Sequence, residues 1–229
     1  MIGELAAGIA HEIRNPMASI SGSIQMLKSG LKKDDVNSRL MDIVSREINR
    51  LNRLVDDFLL FARPKKTNLQ EFDLNHLILE SLELFKNSQH WTEKTKVFKD
   101  FHEAIRLKSD PEQIKQVLWN LFLNACEAMP DGGSLYVITE LEPGWPKSDQ
   151  KKAKIIIRDT GDGFGEKALS HLFTPFFTTK ERGSGLGLAI VNRIVEGLRG
   201  EIHGGNYPEG GAEITISLPA HTETAEPAN

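Results

Sequence analysis

Apolar residues recur every three or four positions between residues 4 and 28. Ile9, Ile13, Met17, Ile20, Ile24 and Leu27 carry the repeat, which predicts an amphipathic helix. The polar run GLKKDDVN at 30–37 interrupts it as a loop. A second series over 38–62 places Leu40, Val44, Leu51, Leu54, Phe58 and Phe61 at alternating spacings of four and three, with charged Glu47 in the same register. The two segments predict a helical hairpin with a long apolar seam. Two helices alone bury too little surface to be stable. A second copy would complete a dimeric four-helix bundle; packing of the hairpin on the rest of its own chain is the alternative.

Pro64, within Arg63-Pro64-Lys65-Lys66, disfavours helix in the residues before it and sets a boundary. The expected division is 1–66, 67–220 and a frayed tail at 221–229. Beyond the boundary, helices alternate with short strands. Asp73 caps a helix running to about Asn87, and Asp110 with Pro111 opens another that continues to Met129. A third helix spans 186–198. Strands are expected at 96–101, 105–109, 135–141, 154–158, 201–204 and 213–218, with a polar hairpin loop at 142–152. The fold class is therefore α plus α/β: a helical hairpin followed by a two-layer α/β sandwich.

Composition narrows the function. The 229 residues carry 28 Lys+Arg against 32 Asp+Glu, a formal charge of −4, so no basic footprint points to nucleic acid. The imbalance is uneven, since residues 1–68 hold 11 basic and 8 acidic side chains. A single cysteine, Cys126, excludes an intrachain disulfide and a cysteine-built zinc site. No apolar run approaches the roughly 20 residues of a membrane helix, so this fragment is expected to make no membrane contact and to reside in the cytoplasm.

Three features carry candidate chemistry. Asp159-Thr160-Gly161-Asp162-Gly163-Phe164-Gly165 follows a buried strand, and Gly183-Ser184-Gly185-Leu186-Gly187 leads into a helix. Glycines at a helix entrance let backbone amides approach a phosphate, although a tight turn explains either segment alone. Neither matches the P-loop or dinucleotide fingerprint. Asn120 and Asn124 share one face of the helix 111–129, where their carbonyl oxygens suit Mg²⁺; hydrogen bonds from helix to loop are the other reading. His11, in His11-Glu12-Ile13-Arg14-Asn15-Pro16, is expected to face solvent, where an imidazole is either an ordinary surface side chain or a nucleophile towards phosphorus. Pro16 has no amide to offer residue 12 and is expected to kink the helix.

Together these segments resemble the catalytic core of a two-component sensor histidine kinase over about Gly3 to Leu218. GELAAGIAHEIRNPMASI is similar to the phosphoacceptor box, NLFLNACEAM to the asparagine box, DTGDGFG and GSGLGLAIV to the glycine boxes, and FTPFFTTK to the phenylalanine box. LVDDFLLFARP resembles the end of the dimerisation hairpin. Five motifs in the family's order are specific, and the chain is similar to nitrogen-regulation and metal-stress sensor kinases.

The resemblance implies a dimerisation and histidine-phosphotransfer domain followed by an ATP-binding domain of the type shared with gyrase and heat-shock chaperones. On it, His11 becomes phosphohistidine, with Glu12 orienting the ring and accepting its proton. Asn124 holds Mg²⁺, supported by Asn120. Asp159 accepts from the adenine amino group, and Gly161 and Gly163 let the backbone pass close to the base. Lys180, Gly183, Gly185, Leu186 and Gly187 face the triphosphate from a lid at 178–185, anchored by Phe173, Phe176 and Phe177. The phosphoryl group then passes to an aspartate of a response regulator. Glu12 to Asn15 resembles the family's phosphatase pattern E-x-x-N, with Asn15 holding the hydrolytic water. Gly211-Ala212 departs from the frequent Gly-Thr and removes one hydroxyl near the adenine. Only ten residues precede His11, where the family usually carries sensing or membrane segments, so the chain reads as a truncated core.

Overall fold

A computed structural model describes residues 2–29, 36–62, 67–102, 104–142, 151–180 and 183–220, excepting the side chains of residues 2–9, His11 and Arg53. The tail at 221–229, the boundary residues 63–66, and most of the loops at 30–37 and 142–152 lie outside that set. The chain forms two compact units, 1–65 and 66–229.

The first unit pairs two long helices, α1 (Ile2–Ser29) and α2 (Val36–Ala62). Helix α1 runs unbroken through Pro16. The apolar positions do not form one seam, as the spacing had predicted. Met17, Ile24 and Ile48 are buried together with Met41 against them, and Ala10 is buried as well. Ile13, Ile20 and Leu27 of the same predicted face are 41%, 49% and 59% exposed, and Leu40, Val44 and Leu51 are likewise exposed. Each helix thus carries two apolar stripes, only one of which is covered within a single chain. A three-four repeat wide enough to serve two neighbours reads in sequence as one face. Arg14 with Asp56, and Lys28 with Asp42 at 2.5 Å, tie the helices across their exposed flanks.

The second unit opens with β1 (Gln70–Asp73) and α3 (Leu74–Lys86). Next come β2 (Thr95–Phe101), β3 (Arg106–Ser109), α4 (Pro111–Glu127), β4 (Gly133–Glu142) and β5 (Lys152–Asp159). The single turn α5 (Glu166–Leu169), α6 (Gly187–Gly197), β6 (Glu201–Asn206) and β7 (Ala212–Pro219) complete it. Both predicted aspartate caps are in place: Asp73 accepts from the His76 amide at 2.9 Å, and Asp110 from those of Glu112 and Gln113 at 3.0 and 3.1 Å.

The main sheet has the order β2-β4-β5-β7-β6, with β2 and β4 parallel and the other pairs antiparallel. Alternation sorts its two faces. Leu135, Val137, Ile155, Ile157, Ile214 and Ile216 are buried, and the helices α3, α4 and α6 pack among themselves and on the sheet. The opposite face carries ion pairs, including Arg158 to Glu213 and Lys152 to Glu201, and a stacked Phe98–Tyr136 pair. Two elements escaped the sequence reading. Strand β1 has one strongly apolar residue, Phe72, and owes its conformation to antiparallel pairing with β3 in a separate two-stranded ribbon. That pairing also removes β3 from the main sheet. Helix α5 is too short to show a period.

Candidate functional site

The second half of α4 positions the site. Ile114, Val117, Leu118, Leu121, Phe122, Ala125 and Cys126 are buried, which fixes the helix's rotation and turns Asn120 and Asn124 towards the loops that follow β5 and precede α6. Both asparagines are half-buried. Asn120 spends one amide proton on the Gln116 carbonyl at 2.9 Å, and a Cβ added to Gly187 would sit 3.3 Å from its Oδ1. That oxygen therefore lies against the first residue of α6.

Asn124 Oδ1 accepts from Lys180 Nζ at 3.3 Å, and the same ammonium meets Glu127 Oε2 at 2.5 Å. The asparagine oxygen thus already faces a cation, with a carboxylate one turn away. This donor set suits a hard divalent ion sharing its shell with phosphate and water. Among the described residues no group of three His, Cys, Asp or Glu side chains makes a metal cage. A metal here would draw on the amide oxygen of Asn124 rather than on such a cage.

Asp159 closes β5 on its buried face and is 6% exposed. Burial pushes its carboxyl above the ordinary value, opposed by the amides of Gly161 and Ala212 and by the Lys180 charge. Those amides donate to Oδ1 at 2.8 and 3.3 Å. The Ala212 contact is a backbone one, so alanine in place of threonine leaves it intact. Gly161 packs on the end of α4, where an added Cβ would fall 2.4 Å from the Ala128 carbonyl. Gly163 and Gly185 have φ of 69° and 68°, a region that glycine enters without penalty.

The segment before α6 is held by Gly185, whose carbonyl accepts from the Phe176 amide at 2.9 Å, and by Gly183, whose amide donates to the Lys180 carbonyl at 3.2 Å. Leu186 is buried at the N-cap of α6, and no side chain caps that first turn. Its amides and positive dipole end are available to an anion. The expected phenylalanine anchor needs correction. Phe173 and Phe177 are half-buried, Phe177 against His171, but Phe176 is 61% exposed with φ of 65°. The turn that brings its amide to Gly185 points its ring away from the core. Residues 181–182 of the expected lid lie outside the described set.

The structure thus brings Lys180 to Asn124, Gly187 to Asn120, and Gly161 to both Asp159 and the end of α4, with Gly183 bonded to Lys180 and Gly185 to Phe176; Gly163 lies instead against Asn206 and Gly211. Glu12 and Asn15 are exposed on α1, and His11 lies on the same helix in the other unit. Glu127 and Asn206 escaped the sequence reading. Glu127 sits inside a recognised motif at a position with no chemical signal of its own. Asn206 looks like an ordinary turn residue before Tyr-Pro-Glu-Gly-Gly.

A two-layer α/β unit that carries this site, in a chain that also carries a helical hairpin, defines the class, and the comparisons agree. Residues 109–222 match the family described as "Histidine kinase-, DNA gyrase B-, and HSP90-like ATPase", and residues 1–67 match the "His Kinase A (phospho-acceptor) domain". The chain is 37% identical to sporulation kinase A of Bacillus subtilis (strain 168) over 95% of its length and 34% of that protein. It is 37% identical to the sensor histidine kinase ZraS of Klebsiella oxytoca over 96% of its length and 46% of that protein. Among solved structures, the catalytic domain of histidine kinase ThkA is 31% identical, over 66% of this chain and 95% of that one, with a TM-score of 0.56. ThkA in complex with response regulator protein TrrA is 31% identical, over 97% of this chain and 63% of that one, with a TM-score of 0.66. The chain belongs to the sensor histidine kinase family and carries its phosphoacceptor and ATPase domains. It spans about a third to a half of the curated relatives' length.

Proposed function

We propose that this chain is the ATP-dependent autokinase core of a two-component sensor, phosphorylated on His11. The observation that carries the reading is that Lys180 bonds Asn124 and bears on Asp159, with the N-terminus of α6 against Asn120, in an ATPase-family domain. Asp159 reads the adenine amino group from a carboxylate already fixed by two amides. The α6 amides and Lys180 hold the triphosphate. Asn124, with Asn120 behind it, offers oxygen to Mg²⁺, which when bound neutralises phosphate charge. Phosphoryl transfer asks mainly for positioning and charge neutralisation, so few further groups are needed.

In the chemical step an imidazole nitrogen of His11 forms a bond to the γ-phosphorus. The bond from that phosphorus to the bridging oxygen breaks, and ADP leaves with the electron pair. Glu12 takes the imidazole proton. The phosphoryl group then moves to a carboxylate of a response-regulator receiver domain, a partner supported by the ThkA–TrrA complex among the similar structures. Asn15 lies four residues, one helical turn, from His11 and is exposed, so it can hold a water for hydrolysis of the regulator's acyl phosphate. That makes the core bifunctional. The exposed stripe of Ile13, Ile20, Leu27, Leu40, Val44 and Leu51 supports a homodimer through the hairpin, completing a four-helix bundle. Dependence on ATP and a receiver domain puts the core in the cytoplasm. Among the described residues, no helix is long and apolar enough to cross a membrane.

The test is incubation with radiolabelled ATP and Mg²⁺, comparing the native chain with His11→Ala and Asn124→Ala. Base-stable, acid-labile label that is absent from both variants is expected. Label persisting in His11→Ala overturns the phosphoacceptor assignment.

A further inference from the structure

Asn206, the last residue of β6, spends its whole side-chain amide on one residue 42 positions away. Its Oδ1 accepts from the Phe164 amide at 2.6 Å, and its Nδ2 donates to the Phe164 carbonyl at 2.7 Å. The side chain therefore grips the backbone after β5 as a neighbouring strand would, satisfying a donor and an acceptor at once. The grip is close. A Cβ on Gly163 would fall 2.8 Å from Asn206 Oδ1 and 3.2 Å from the Gly211 carbonyl.

A second tie joins the same two pieces of chain. Asn206 pairs with Ala212 in the β6–β7 register, and the Ala212 amide donates to Asp159 Oδ1. Gly211, at φ of 87°, lies so near that an added Cβ would overlap the Asp159 carbonyl. The loop 160–165 is thus fastened at both ends to the β6–β7 hairpin, through Asp159 at its start and through Phe164 near its close. Between those ties Thr160 Oγ1 accepts from the Ser134 amide at 3.0 Å and Gly161 packs against Ala128, while Gly163 lies against Asn206 and Gly211. The loop's course past a bound base therefore depends on these contacts together with the ties.

We propose that Asn206 is a positioning residue for adenine recognition: by clamping Phe164 it fixes loop 160–165 and the presentation of Asp159 and Gly161 to the base. The inference rests on the reading of this site as one for ATP. Among the described residues the side-chain hydrogen bonds of Asn206 go to Phe164, so its removal falls on nucleotide affinity and base discrimination. It falls on KM more than on kcat.

The experiment uses the full chain, with Asn206→Ala and Asn206→Ser, titrated with ATP and with GTP, alongside thermal melting and autophosphorylation at saturating ATP. Asn206→Ala is expected to raise the Kd for ATP about tenfold, equal to ~1.4 kcal/mol, and that for GTP less than threefold. Asn206→Ser, whose hydroxyl can still accept from the Phe164 amide, is expected to fall between native and alanine. Unchanged ATP affinity in Asn206→Ala overturns the inference. So does equal weakening of both nucleotides in step with a lowered melting temperature, which marks a purely structural residue. Failure of the native chain to bind ATP overturns the nucleotide reading itself, and this inference with it.

Discussion

The C-terminal unit fully encloses Phe85, Phe122, Leu118 and Leu135 between its helices and one face of its sheet, whereas the described residues of the hairpin enclose only Ala10, Met17, Ile24, Ile48 and Ser38. The first finishes its core within one chain. The second leaves a stripe of isoleucine, leucine and valine facing outward along both helices. The contrast matches a division of labour. A nucleotide site needs a rigid frame, and the C-terminal unit supplies it from a single polypeptide. On the proposed dimeric reading the hairpin leaves its remaining burial to a second copy, which would make its stability depend on protein concentration.

The largest effect expected from breaking this contrast lies in the self-sufficient core. Phe122→Ala should destabilise the C-terminal unit by about 3–5 kcal/mol. Its melting transition should fall by the same amount at every protein concentration, and a concentration-dependent shift would blur the distinction. Next comes the open stripe. Ile20→Lys combined with Leu51→Lys should cost association about 1.5–3 kcal/mol per chain, since each half-exposed side chain forfeits about half of the ~1.5–3 kcal/mol of full burial. Light scattering should then report a monomer at concentrations where the native chain is a dimer, with nucleotide affinity unchanged.

A smaller effect separates site from scaffold. Asp159→Asn removes a charged acceptor, worth ~1.5–3 kcal/mol, and should weaken ATP by about ten- to a hundredfold in a binding titration. Its pH dependence has a definite sign. Burial raises this carboxyl in the folded chain, so its ionised form costs stability at neutral pH, and the cost fades as pH falls through the raised value. ATP affinity should therefore drop in mild acid without loss of fold on account of Asp159. Asp110 behaves oppositely. Burial works to raise it, but the amides of Asn68, Gln113 and Glu112 and the Gln113 side chain outweigh that and hold it below the ordinary value. Its contribution is present above the unfolded value and is lost as pH falls through the lowered one. The smallest effect belongs to the hairpin surface: Arg14→Ala breaks an exposed ion pair and should move the melting free energy by less than ~1 kcal/mol.

Local rules made much of this molecule legible. Asp73 and Asp110 announce their helices because a cap needs only three residues of context, and β5 is readable because Ala153, Ile155 and Ile157 alternate with Lys154, Ile156 and Arg158 between charged ends. Asn120, Asn124 and Asp159 could be picked out from spacing and motif together. What the sequence withheld depends on partners far along the chain. Strand β1 exists because β3 pairs with it, and the Asn206 clamp spans 42 residues with no local mark. The hairpin's second stripe was hidden for another reason. Ile13 and Met17 are equally apolar, and only the neighbouring helix decides which is covered. Cys126 shows the same dependence: enclosure in α4's buried face pushes its thiol up to about 11, which makes an ordinary-looking cysteine unreactive at neutral pH.

The division of labour can be tested by separating the units. Residues 1–66 and 67–220 would be prepared as two fragments and incubated, alone and mixed, with radiolabelled ATP and Mg²⁺. Label should appear only in the mixture, only on the 1–66 fragment, and not when that fragment carries His11→Gln. Label on the 67–220 fragment by itself would contradict the account, because the phosphoacceptor would then lie in the nucleotide-binding unit.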